Sequence, residues 1–179
     1  MDQPQRDDTT SPDQTEPAPS LSDDALQSFW RVVRSRAGVG NADVYLGTPW
    51  GEAVVPPAWS FGDSPAMADR LLALVLSGAK RATTGVQQDY TDQDEPLPRP
   101  GELSIILDGA GIPRALVREI DVEVLPFGQV SAEQAAAEGE DDLSLESWRA
   151  AHRAAFARSG YEVDDETLVV YERFEVLYP

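Results

Sequence analysis

The chain has 179 residues, 32 acidic against 14 basic side chains, a formal charge of −18, one histidine and no cysteine. That length is enough for one domain with a substantial core, and the missing thiols exclude disulfides and thiolate metal sites. The charge disfavours a long polynucleotide held by counterion release, and favours a small or weakly charged ligand. Residues 1–20 read as a disordered acidic, proline-rich tail, followed by one domain over 21–179. The polar opening Met1-Asp2-Gln3-Pro4 lacks a signal pattern, and no apolar run approaches membrane-spanning length. A cytoplasmic protein without metal or cofactor is expected.

Ser22 is a plausible cap for a first helix, in which Ala25, Leu26, Phe29, Val32 and Val33 recur at helical spacing up to Gly38. A Gly/Pro-rich connector carrying Tyr45 and Trp50 runs through Pro56-Pro57 and leads to Trp59; helix and connector occupy 21–58, ahead of a core over 59–179. Ser64 as cap, Pro65 at the first helical position and the stripe Leu71, Leu74, Val75 predict a helix ending at Gly78. The polar stretch Thr91 to Pro100 reads as a surface loop. Leu103–Leu107 and Pro113–Arg118, joined by Asp108-Gly109-Ala110-Gly111, predict a hairpin, and Asp121 to Leu125 continues the sheet. Helices follow over about Ser131 to Glu138 and Ser144 to Arg158, and Leu168 to Tyr178 closes the chain as a long strand. Helices interrupting antiparallel strands predict an α+β fold with a small barrel.

Lys80 is the only lysine; the other basic residues are arginines. An ammonium desolvated by burial can lose its proton and serve as a base, whereas guanidinium stays charged. The simpler reading makes Lys80 a favourable charge at a helix C-terminus. Thr83 stands three residues on and meets Lys80 only if the chain bends between helix and strand; Thr84 is the alternative hydroxyl. A lysine beside a hydroxyl is a base–nucleophile pairing. Glu138 is either a third member or one solvated carboxylate in the acidic run with Glu140, Asp141 and Asp142. Asp63 precedes a helix and reads as a turn residue, and His152 lies on the apolar stripe of its helix as packing. Trp59 and Tyr90 either stack on a base or belong to core and rim. Arg81 and Arg173 are candidate phosphate or base contacts beside Lys80.

Several motifs occur in order: Trp59-Ser60-Phe61-Gly62-Asp63-Ser64-Pro65, Leu76-Ser77-Gly78-Ala79-Lys80-Arg81-Ala82-Thr83, Leu97-Pro98-Arg99-Pro100-Gly101-Glu102, Ala137-Glu138-Gly139-Glu140 leading into Leu145-Glu146-Ser147-Trp148-Arg149, and Tyr171-Glu172-Arg173-Phe174. In these the chain resembles the ASCH-domain proteins, related to the PUA-like β-barrels, over about residues 21–179. The resemblance implies a small antiparallel or mixed β-barrel flanked by helices, here with an extra N-terminal helix, in a bacterial protein. It also implies RNA-associated roles. A smaller related branch deacetylates 4-acetylcytidine with a lysine, a threonine three residues later and a glutamate after the central strands. Carried over, these are Lys80 as base, Thr83 as nucleophile and Glu138 as orienting group, with Arg81, Thr84, Trp59, Tyr90 and Arg173 as substrate contacts. The implied partner is a nucleoside or nucleotide, with RNA as the alternative.

Overall fold

The structure, a computed structural model, describes residues 23–37 and 55–179. The 1–20 tail, the Ser22 cap, Tyr45 and Trp50 lie outside the described residues. In chain order the elements are α1 (Asp23–Arg36), β1 (Ala58–Trp59), α2 (Pro65–Leu76), β2 (Ala82–Val86), α3 (Gln87–Asp92), β3 (Leu103–Leu107), β4 (Pro113–Pro126), a 3-10 turn (Phe127–Gln129), α4 (Ala132–Ala137), α5 (Leu145–Arg158) and β5 (Leu168–Tyr178). The five strands form one mixed sheet in the order β1-β3-β4-β5-β2, with β1 parallel to β3 and the other pairs antiparallel. This is the expected α+β architecture with its N-terminal helix.

Serine caps set the helix starts. Ser64, Ser131 and Ser144 each accept a backbone N–H in the first turn of α2, α4 and α5, an arrangement worth about 1 kcal/mol per cap. Ser131 and Gln134 cap each other reciprocally. The hairpin turn is fixed by Asp108, whose carboxylate accepts from Ala110 N, Ile112 N and Arg114 Nε. Gly109 lies against the start of α2: a Cβ there would stand 2.2 Å from the Pro65 carbonyl oxygen, so only glycine lets hairpin and helix approach.

Three features differ from the sequence expectation. Arg118 and Asp121 belong to one 14-residue strand, because a bulge at Ile120 carries β4 past the expected gap. β1 is a two-residue strand where the presumed connector meets the core. α3 forms from Gln-Gln-Asp-Tyr-Thr-Asp, a polar segment with no apolar stripe to announce it.

Side chains alternate across the pleat. On one face α1 covers Ile105, Leu107 and Leu116, while Phe127 and Trp148 pack with Ala82, Leu125, Val169 and Tyr171. On the other, α2 packs Leu71, Leu72 and Val75 with Ile106, Val117 and Phe174. β2 ends the sheet on one side, and the end of α4 meets its start, where Arg81 N donates to Ala137 O at 2.9 Å. Candidate residues from two faces meet at that edge.

Candidate active site

Lys80 follows the left-handed turn that closes α2, and its own N–H returns to Leu74 O at 3.0 Å. Its side chain is 1% exposed. The Nζ donates to Glu138 Oε2 at 3.1 Å and to Glu140 Oε1 at 2.6 Å, and stands 5.3 Å from the centre of the Phe61 ring. Glu138 is equally buried. Its Oε1 accepts from Thr84 Oγ1 at 2.7 Å and from Trp148 Nε1 at 2.8 Å, and its Oε2 lies 3.4 Å from His152 Nε2. Burial pushes the Glu138 carboxyl up, but Lys80, His152 and Thr84 outweigh it and hold the group at about 2. His152 stacks on Trp148 at 4.1 Å, so the packing expected of it also aims its Nε2 at the carboxylate.

Local backbone explains how Glu138 reaches this position. It caps the C-terminal end of α4, and Gly139 follows at φ +71°, the left-handed turn typical after a helix. A Cβ at Gly139 would stand 2.3 Å from Ala79 O and 2.8 Å from Lys80 N. The Ala137-Glu138-Gly139-Glu140 run therefore lies directly on the backbone of Lys80. Arg70 of α2 pairs with Asp141 at 2.7 Å and ties the same loop from the other side. A buried ion pair whose remaining lone pairs are satisfied tolerates removal of one partner poorly, at about 3–5 kcal/mol.

Thr83 faces the other way. In β2 the alternation puts Ala82, Thr84 and Val86 toward Trp148, and Thr83 and Gly85 on the opposite side. Thr83 is half-buried and sits directly across from Glu172. Around it is a second group of acids. Glu172 accepts from Tyr90 Oη at 2.9 Å; Glu119 has a buried Oε2 with no hydrogen-bond partner. Burial, with Glu172 and Glu102 nearby, pushes Glu119 up to about 8. Burial pushes Glu172 up to about 7, with Glu102 and Glu138 adding to the rise and the Tyr90 hydrogen bond opposing it. The Tyr90 phenol is driven upward by burial and by Glu172, Glu119 and Asp89.

The structure thus brings Lys80, Glu138 and Thr84 into one hydrogen-bonded network, with Thr83 at the neighbouring position on the reverse face. Tyr90 joins the acid face. Trp59 packs edge-on against Phe61 at 4.5 Å. Arg81 and Arg173 are exposed at the same end of the β2–β5 ladder, and Asp63 pairs with Arg158 at 2.6 Å. Sequence reasoning missed the roles of Glu140, Trp148, Glu119 and Glu172. Glu172 had a signal: it shares parity with Val170, Phe174 and Val176, so it had to face the apolar side. Two open depressions of about 490 and 560 Å³ lie along α5 and the segment 163–166, lined in part by Arg153, which is ion-paired to Asp165. Neither includes any of these residues.

Among the described residues no group of three or more His, Asp or Glu is arranged to hold a metal ion, and no helix is long and apolar enough to cross a membrane. No curated protein matches the chain. Solved structures do. A protein from Enterococcus faecalis V583 of family DUF984 is 31% identical, with a TM-score of 0.70 over 86% of this chain and 88% of that one. An ASCH domain from Lactobacillus crispatus JV V101 is 28% identical, with a TM-score of 0.74 over 89% of this chain and 98% of that one. The family model described as the ASCH domain matches residues 57–178, from just before β1 to the end of β5. The chain belongs to the ASCH-domain family.

Proposed function

We propose that this ASCH domain binds a nucleoside or nucleotide beside Lys80 and hydrolyses an amide on it, an acylated nucleoside such as 4-acetylcytidine being the preferred substrate. The observation that carries the reading is a lone, buried lysine between two carboxylates, heading the strand that bears Thr83. Glu140, 2.6 Å from Nζ and the more exposed of the two carboxylates, is the group positioned to take the lysine's proton. The Lys80 amine stands over Phe61, which packs with Phe174 on the Thr83 side of the sheet, and from that side the neutral amine accepts the Thr83 hydroxyl proton as Thr83 Oγ1 attacks the acyl carbonyl. Collapse breaks the C–N bond, and the Lys80 ammonium returns that proton to the leaving amine. Water, deprotonated by Lys80, adds to the acyl carbonyl; the Thr83 Oγ1–acyl bond breaks, the Lys80 ammonium returns the proton to Thr83 Oγ1, and the free acid leaves. Glu138, fixed by Thr84 and Trp148, holds the lysine in place throughout.

Purified protein, Lys80→Arg and Thr83→Ala are assayed on 4-acetylcytidine, with folding checked by circular dichroism. Turnover by the parent and a loss of roughly 10²-fold or more in both folded variants is expected. No turnover, or turnover indifferent to Lys80, refutes the mechanism. The alternative is an RNA-binding or RNA-processing module without amide hydrolase activity. Its support is the exposed Arg81 and Arg173 at one end of the β2–β5 ladder. Binding of a short RNA would then weaken steeply with salt, whereas hydrolysis of a neutral nucleoside would scarcely respond.

A further inference from the structure

Among the described residues, the sheet face that carries Thr83 holds three carboxyl groups that no base neutralises. Glu119 from β4, Glu172 from β5 and Glu102 from the turn before β3 act on one another, and Tyr90 of α3 faces them. Among the described residues no lysine or arginine makes an ion pair with any of the three. They are not spaced to share a metal ion. Independently of that cluster's charge, Glu119 presents a buried oxygen with no partner although the residue is only 5% exposed. A buried acceptor is seldom left unmatched in a folded protein, and one that is left so calls for a specific explanation. Beside it the face is open and apolar: Val122 is half-buried, Val124 is 41% exposed, and the Tyr90 ring lies over Gly85.

We infer that this face reads an amino-substituted nucleobase, with the Glu119 carboxyl meeting the edge formed by an exocyclic amine and the adjacent basic ring nitrogen. The inference rests on the nucleoside-binding reading above and specifies the class of base. A carboxyl group has a donor and an acceptor side by side when it carries a proton. One proton shared between Glu119 and the ring nitrogen gives two parallel hydrogen bonds, whether it sits on the acid or on the base. The amine's second hydrogen then faces the remaining carboxyl oxygens. A protonated carboxyl also matches the keto oxygen and ring N–H of uracil, so the discrimination lies in that second hydrogen: a keto oxygen there would oppose acceptor to acceptor against the remaining carboxyl oxygens. A site that pairs a ligand N–H discriminates strongly against an analogue without it. The upward displacement of Glu119 agrees with a carboxyl that holds its proton near neutral pH.

The test measures binding of cytidine and uridine to the full chain by calorimetry, at about pH 7 and about pH 9, bracketing the folded Glu119 value. The unacylated nucleosides separate binding from hydrolysis. Cytidine is expected to bind at least roughly tenfold more tightly than uridine. Raising the pH removes the shared proton and should weaken cytidine binding about tenfold. In Glu119→Gln the side-chain amide supplies donor and acceptor without titrating, so cytidine binding should persist and its pH dependence flatten. Glu172→Gln serves as the second variant if Glu119→Gln does not fold, and is expected to reduce the preference for cytidine. Equal binding of the two nucleosides, or an unchanged pH slope in Glu119→Gln, overturns this inference and leaves nucleoside binding standing. Cytidine binding as described without turnover of 4-acetylcytidine overturns only the hydrolase. Binding of neither nucleoside overturns the base-reading face and the nucleoside site together.

Discussion

Glu119→Gln should stabilise the protein at alkaline pH and not at acid pH. Glu119 has a carboxyl value of 4.5 when free and about 8 in the fold, where burial first and then Glu172 and Glu102 disfavour its charge. Between those values the unfolded chain has lost the proton and the folded one retains it, so folding stability falls as pH rises. The slope for one group is about 1.4 kcal/mol per pH unit, and over the interval the loss is on the order of 3–5 kcal/mol. Below the free value both states are protonated and the group contributes no slope. Glutamine has nearly the same shape and no titration. The substitution should therefore leave stability little changed near about pH 4.5 and raise it by several kcal/mol near about pH 8. Urea denaturation followed by tryptophan fluorescence, for parent and variant at four or five pH values, reads the difference directly. Glu172, pushed up to about 7, adds its own decline in both proteins and drops out of the comparison. Parallel stability curves across the range would refute the assignment of Glu119 as a buried, unneutralised acid.

Glu138 should show the opposite sign. Its folded value lies near 2 against 4.5 when free, so its stabilisation is present above about 4.5 and is lost as pH falls toward 2. The amount is on the order of 3 kcal/mol, and Glu138→Gln should flatten the acid limb of the stability curve while lowering the neutral plateau. An acid limb unchanged in slope would count against the network. Gly139→Ala forces a left-handed alanine whose Cβ meets Ala79 O, and should destabilise by about 2–4 kcal/mol. Scanning calorimetry should then show a fall of roughly 5–12 °C, and an unshifted midpoint would refute the close approach of the Glu138–Glu140 loop to Lys80.

Most elements were legible in the sequence because their signals are local. Ser64, Ser131 and Ser144 stand at helix starts, and Gly78 and Gly139 end helices, as expected of residues chosen for caps and left-handed turns. α3 was not legible, since six polar residues carry no periodicity and gain their order from contacts such as Tyr90 with Glu172 and Tyr161 with Asp89. The candidate site was legible as a short motif and not as a geometry. That Glu140 would contact Lys80 depends on the left-handed turn at Gly139, which swings the chain back on itself. Glu119 shares parity with Ala115 and Val117, but that Val122 rather than Asp121 joins it on the acid face depends on the bulge at Ile120, which breaks the alternation that would otherwise be read from the sequence.

The two acid-bearing regions are separated by the thickness of one strand, and consecutive threonines mark the division. Thr84 donates to Glu138 and completes the lysine network; Thr83 turns to the opposite face, across from Glu172. The charge on Glu138 contributes to raising Glu172, so the two regions are electrostatically coupled although they share no hydrogen bond. Neutralising Glu138 should therefore ease ionisation of Glu172 on the far side. An ASCH strand bearing a single threonine could serve only one of these faces. With Thr83 and Thr84 in succession, the ion-pair network that fixes Lys80 is satisfied without consuming the hydroxyl that points at the acid face, and that hydroxyl remains available to a ligand.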